Sequence, residues 1–107
     1  MAYYWLDSFP KDKVENLADL CSRELNMQDS SCELPNRQWL SDNKVCLVRY
    51  TPKEDFPLLV QCWSSCNYRT PEVKDFLRRI AEMANIKQFY DGAGDRDMKP
   101  VDVAVLR

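Results

Sequence analysis

The sequence predicts an α+β domain of ferredoxin-like plan, in which a four-stranded antiparallel sheet carries two helices on one face. Two segments show helical spacing of apolar residues, and four short segments are rich in β-branched and aromatic residues. Their order is β-α-β-β-α-β, which is compatible with right-handed crossovers. A length of 107 residues with 45% apolar side chains predicts a single compact domain over residues 1–107.

The chain is expected to begin with a strand at 3–6, followed by a helix over 10–26. Ser8 supplies a candidate cap for this helix, and Pro10 fits its first turn. Apolar residues then recur at helical spacing, namely Val14, Leu17, Ala18, Cys21 and Leu25.

An antiparallel hairpin is predicted in the middle of the chain. Segments 44–50 and 56–63 are rich in β-branched and aromatic residues, and turn-forming residues at 51–55 separate them. The preceding segment 27–43 lacks helical spacing, so we expect a long connection there. Trp39 and Leu40 offer the start of a further strand within it.

The second helix has the clearest pattern. Thr70 is placed as its N-cap, Pro71 fits the first helical position, and Glu72 complements the positive end of the helix dipole. Its apolar stripe consists of Val73, Phe76, Leu77, Ile80, Met83 and Ala84. A last strand is predicted at 101–106. The connection between the second helix and this strand could contain a fifth strand at 86–90.

The chain contains no histidine, which excludes several kinds of chemistry. Ser-His-Asp triads, Cys-His dyads and imidazole metal sites all need that side chain. Catalysis would have to use carboxylates, cysteine, lysine or tyrosine with pKa values shifted by their surroundings. An enzyme is therefore the less favoured interpretation, and no cofactor or metal is expected.

Charge and the amino-terminal segment bear on partners and location. Fifteen basic and 17 acidic residues give a net charge of −2, which predicts no bulk attraction to nucleic acid or an anionic membrane. Residues 1–7 show no basic segment followed by a long apolar run, so no signal peptide or membrane span is expected. These features predict a cytoplasmic protein.

Five cysteines match no disulfide framework and are expected to be free thiols. Cys62 and Cys66 are separated by three residues, where redox and zinc motifs usually have two. Burial as small apolar side chains is favoured for the cysteines as a group. Cys32 and Cys66, with polar neighbours, are expected to be the most exposed.

The segment 91–97 contains both glycines of the chain and three aspartates. Asp91, Asp95 and Asp97 could bind a hard cation, and the glycines could approach a phosphate. Their spacing differs from the calcium-loop pattern, and carboxylates repel phosphate. A solvated loop is the favoured interpretation.

A protein-binding role is the favoured function, in which a preformed surface docks stoichiometrically onto another protein. Arg37, Trp39, Tyr68 and Arg69 are the expected anchors, because aromatic and arginine side chains in connections are typical of interface hot spots. Inhibitors of the immunity type and accessory subunits of larger assemblies both fit this description.

Three alternatives remain open. Tyr3, Trp5 and Tyr50 could stack single-stranded nucleic acid on an open sheet face. An enzyme using cysteine or aspartate would place its chemistry near Cys66 or in the 91–97 loop. The open face of such a sheet could also join two copies of the chain as a homo-oligomer.

Overall fold

A seven-stranded antiparallel sheet organises the structure, a computed structural model that describes residues 1–92 and 97–107. Two helices accompany the sheet, so the α+β class and the antiparallel sheet are confirmed. The helices are α1 Val14–Asp19 and α2 Pro71–Ala84. The strands are β1 Ala2–Leu6, β2 Gln28–Asp29, β3 Arg37–Leu40, β4 Val45–Tyr50, β5 Leu58–Cys62, β6 Gln88–Asp91 and β7 Lys99–Asp102.

The order of the strands across the sheet is β2-β3-β4-β5-β1-β6-β7, so the four-stranded ferredoxin-like plan is not confirmed. The predicted hairpin is present as β4 and β5. The 88–91 segment forms β6 and lies beside β1. In the ferredoxin-like topology this position next to the first strand belongs to the last strand. Phe89 anchors β6, because its side chain is buried against Tyr4 with ring centroids 5.6 Å apart.

The predicted strand at 101–106 is wrong beyond Asp102. The Ala104 amide donates to the Asp102 carboxylate at 2.8 Å, which turns the chain into a 3₁₀ turn at Val103–Leu106. Val103 and Leu106 are buried whereas Val105 is 46% exposed. The alternation of valines therefore did not indicate an extended segment.

The first helical region is close to the predicted range but is not a uniform α-helix. A 3₁₀ turn at Lys11–Lys13 precedes α1, and a π-helical turn at Leu20–Glu24 continues it. The side chains of Leu17 and Cys21 are fully buried. The helical spacing thus identified the buried face correctly.

Both ends of α2 are fixed by short backbone motifs. Thr70 is extended before Pro71, but its hydroxyl accepts a hydrogen bond from the Asn67 amide rather than capping the helix. At the other end Asn85 adopts a left-handed φ of 54°, and the Ile86 amide donates to the Ala81 carbonyl. This Schellman arrangement ends the helix and directs the chain into β6.

The two sides of the sheet differ. One side packs against the buried faces of both helical regions in a continuous core, to which the strands contribute Tyr4, Leu6, Trp39, Val48, Tyr50, Leu58, Val60, Cys62 and Phe89. The strand register places alternate residues on the opposite side, which we call the open face. It consists of Tyr3, Trp5, Gln28, Gln38, Leu40, Leu47, Arg49, Leu59, Gln61, Gln88, Tyr90, Pro100 and Asp102, of which Leu59 is only 4% exposed. Within the described residues, neither helix has the length and apolar content needed to cross a bilayer.

Candidate functional site

The connection between β5 and α2, residues 63–70, is a surface loop with extensive backbone hydrogen bonding, and we call it the 63–70 loop. It contains two successive turns, closed by bonds from the Cys66 amide to the Trp63 carbonyl and from the Thr70 amide to the Asn67 carbonyl. The Asn67 side-chain oxygen also accepts from the Arg69 amide at 2.7 Å. With the two further bonds to Thr70 and Tyr4, every backbone N–H from 66 to 70 has a partner. The loop is therefore preformed.

Tyr68 fixes the loop to the sheet. Its amide donates to the Tyr4 hydroxyl at 2.8 Å, and its ring packs edge-on against Tyr4 and Phe89, with centroids 6.0 Å apart in both cases. Burial raises the pKa of the Tyr4 phenol well above its ordinary value, so the hydroxyl stays neutral. The Arg69 guanidinium lies 5.1 Å from the centre of the Tyr68 ring, within cation–π range.

Trp63 stands at the other end of the loop and remains 41% exposed. It borders a groove of about 610 Å³, whose apolar floor includes Leu25 and Val45. Lys44 and Glu72 form an ion pair of 2.8 Å at this groove. Their hydrogen bond raises the pKa of the Lys44 ammonium and lowers the pKa of the Glu72 carboxyl. The groove therefore combines an exposed aromatic, an apolar floor and a charged rim.

Two of the four expected partner anchors have structural roles. Trp39 is fully buried within β3, so the prediction that it lies at the surface is wrong. Its ring fills the core, and the guanidinium of Arg37 covers it at 5.1 Å. Arg37 is also held by ion pairs to Glu15 at 2.9 Å and to Asp29 at 3.3 Å. These contacts join β3 to α1 and β2.

The structure does not bring the four expected anchors together. Trp39 and Tyr4 lie in one cross-strand row, with one residue of β4 and one of β5 between them. At roughly 4.8 Å per strand, about 14 Å separates them. Tyr68 and Arg69 lie beside Tyr4, so these two anchors belong to a surface distant from Arg37.

The three residues expected to stack nucleic acid are divided between the two sides of the sheet. Tyr3 and Trp5 lie on the open face as expected, and both are partly exposed. Tyr50 is 3% exposed and packs edge-on against Phe9 under the first helical region, so its expected place on the open face is wrong. The alternation of β4 places every second residue toward the helices, and Tyr50 follows Val48 in that set.

All five cysteines are free thiols, and Cys32 is exposed as expected. Cys66 is 8% exposed, which corrects the expectation that it is an exposed thiol, although it borders the groove beside Trp63. Burial raises the pKa of the Cys21 and Cys62 thiols to about 12. These two groups are therefore not nucleophiles near neutral pH.

The 91–97 loop is described in part. Asp95 and Gly94 fall outside the described residues. Gly92 is required by a close approach, because a Cβ placed there would lie 2.9 Å from the Cα of Met98. Across residues 1–92 and 97–107, no three histidine, cysteine or acidic residues are placed to hold a metal ion.

Trp63 is a functional candidate that the sequence analysis did not single out, because it ends the segment 56–63 that was predicted to be a strand. The signal that could have identified it is the polar sequence Ser64-Ser65 that follows, which is typical of a turn rather than a continuing strand. Comparison with family descriptions, with curated proteins and with solved structures finds no match for the chain. The function is therefore inferred from the geometry of these residues.

Proposed function

We propose that the chain is a small protein-binding module that docks the 63–70 loop and its groove onto another protein in a stoichiometric complex. The observation that carries this proposal is the hydrogen bonding of the loop, whose backbone N–H groups from 66 to 70 are all bonded within the domain. A preformed loop loses little conformational entropy on binding, so more of its contact energy contributes to affinity.

The side chains of this surface support the same conclusion. Trp63 and Arg69 belong to the residue types that dominate binding energy in protein interfaces, and both are exposed. The Lys44–Glu72 ion pair supplies a polar rim beside the apolar floor of the groove. An apolar centre with a polar rim is the usual anatomy of an interface.

The class of partner and the location are part of the proposal. An inhibitor of the immunity type and an accessory subunit both act by covering a surface, and both fit a docking loop. Five free thiols favour a reducing compartment, which supports a cytoplasmic location.

The test compares the wild-type chain with Trp63→Ala and Arg69→Ala as baits in native cell extract, followed by mass spectrometry. Leu34→Ala is the matched control, because Leu34 is 77% exposed and lies outside the groove. We expect a protein that is captured by the wild type and by Leu34→Ala, and that binds each loop variant at least about tenfold more weakly. Circular dichroism and melting temperature must stay unchanged in all variants.

Capture that does not depend on Trp63 or Arg69 would contradict the proposal. Binding to single-stranded RNA that falls steeply with salt and is lost in Tyr3→Ala and Trp5→Ala would support the nucleic-acid alternative instead. A thiol-dependent activity that is lost in Cys66→Ser, with the fold intact, would support the enzymatic alternative.

A further inference from the structure

The open face carries apolar side chains across the middle of the sheet. In one cross-strand row the partly exposed rings of Trp5 and Tyr90 lie beside Leu59, which is only 4% exposed. The next row contains the partly exposed Leu47 and Tyr3, with Gln61 between them. Trp5 is held in place, because its indole N–H donates to the Gly92 carbonyl at 2.8 Å and its ring packs edge-on against Phe56. A fixed aromatic and aliphatic surface of this kind is suited to packing against a second flat surface.

The two edges of the sheet are poorly suited to association by strand addition. The edge strand β2 contains two residues. At the other edge, β7 contains Pro100, which has no N–H to donate, next to the charged Lys99. Association through the sheet is therefore favoured at the open face rather than at an edge.

The charges beside this apolar surface are of both signs. Arg49 lies on the open face, and Glu54 and Asp55 follow it in the turn between β4 and β5. All three are exposed and line one cleft of about 640 Å³ together with Trp5 and Met98 among other residues. Among residues 1–92 and 97–107, none of the three charges takes part in an ion pair.

We propose that the open face joins two copies of this chain about a two-fold axis, with Arg49 of each copy meeting Glu54 and Asp55 of the other. A two-fold interface brings the same patch of both copies together, so the patch must be complementary to itself. A patch that combines one cation, two carboxylates and an apolar centre meets this condition. The inference concerns a surface opposite the 63–70 loop and does not depend on the proposed function.

The dimensions of the molecule permit such a dimer. Its extents are 30 × 27 × 24 Å, so the cross-section of one face is of the order of the roughly 800 Å² that each partner contributes to a stable interface. Two sheets that pack face to face form a sandwich about 10 Å thick, in which side chains such as Trp5 and Leu47 interdigitate. The 63–70 loops of both copies stay accessible, because they lie on the helix side of the sheet.

The first experiment is sedimentation of the purified wild-type chain over a concentration series, in which we expect a dimer. Arg49→Glu should weaken dimerisation by about 100-fold or more, because it places like charges together twice in each dimer. The double variant Glu54→Arg/Asp55→Arg should weaken dimerisation equally, because Arg49 of each copy would then meet two arginines of the other copy. Arg23→Glu, which reverses an exposed charge on the helix side, is the matched control and should remain dimeric.

The decisive step mixes the two monomeric variants. A mixture of Arg49→Glu with Glu54→Arg/Asp55→Arg restores opposite charges at both contacts, so we expect a heterodimer of near wild-type affinity. The combined triple variant should likewise dimerise with itself. Neither result depends on whether the chain captures another protein through Trp63, so this inference and the proposed function fail independently.

A wild-type chain that sediments as a monomer at several hundred micromolar overturns the inference. So does a dimer that persists in both charge variants, or a mixture that stays monomeric although both variants are folded. The chain could instead be a monomer that binds a different protein or single-stranded RNA. If Trp5→Ala abolishes that binding, the open face is the binding site of that partner and not a dimer interface.

Discussion

The two sides of the sheet are encoded by neighbouring residues but have different environments. Along β1, Tyr4 is 1% exposed on the helix side, whereas Tyr3 and Trp5 on either side of it are partly exposed on the open face. Tyr4 uses its hydroxyl to hold the Tyr68 amide, and Trp5 uses its indole N–H to hold the Gly92 carbonyl. One strand thus stabilises the core and presents a surface at the same time.

The difference indicates that the helix side mainly stabilises the fold, whereas the exposed surfaces are available for binding. The helix side contains the fully buried aromatic residues Tyr4, Trp39 and Phe89, whose removal would leave cavities. The open face and the 63–70 loop contain side chains that the fold needs less and that another molecule can reach. Substitutions on the helix side should therefore change the free energy of unfolding, and those on the exposed surfaces should change association.

The largest difference is expected between Trp39→Ala and Trp5→Ala. Trp39 is fully buried, so its removal should lower the free energy of unfolding by roughly 3–5 kcal/mol through lost packing and a residual cavity. Trp5 is partly exposed, so its removal should cost less than half of that. Urea titrations followed by circular dichroism measure both values. Equal losses would show that the two sides of the sheet contribute alike to stability.

A smaller and more local effect is expected for Tyr4→Phe. The substitution keeps the ring but removes the hydroxyl that accepts from the Tyr68 amide, which leaves a partly buried N–H without a partner. The expected loss is about 1–3 kcal/mol, with faster hydrogen exchange at Tyr68. Tyr3→Phe is the matched control on the adjacent residue and should change neither quantity. Slow exchange at Tyr68 in Tyr4→Phe would show that the loop does not depend on this bond.

Much of the fold followed from local pattern, because periodicity reports which residues face a core. The stripe of α2 from Val73 to Ile80 and the hairpin of β4 and β5 were confirmed in this way. The last strand failed at Asp102, since a side-chain hydrogen bond to Ala104 overrode the alternation of valines. Strand order depends on long-range pairing, which local pattern does not encode.

The candidate site was predictable in part. Tyr68 and Arg69 were expected in a connection, and the structure places them in the preformed loop. Trp39 was misplaced because a tryptophan that follows two polar residues, Arg37 and Gln38, has the same pattern on a half-buried strand as in a loop. The bond between Tyr4 and Tyr68 joins residues 64 positions apart, so spacing in the sequence could not reveal it.

The smallest effect expected is a pH dependence that comes from Cys62, which is fully buried on the helix side. Burial raises the pKa of its thiol from an ordinary 9.0 to about 12. The unfolded chain therefore loses this proton first as pH rises. The contribution of the protonated Cys62 thiol to the free energy of unfolding is complete below pH 9 and declines as pH rises toward 12. Between pH 8 and 10 the decline is about 1 kcal/mol.

Cys62→Ala should accordingly be less stable than the wild type near pH 7, because it leaves a small cavity, but should lose less stability between pH 8 and 10. The two curves of unfolding free energy against pH should therefore converge. Urea titrations under reducing conditions at several pH values give these curves. Parallel curves for Cys62→Ala would mean that the thiol ionises equally in the folded and unfolded chains, and the helix side would then be less shielded from water than its packing indicates.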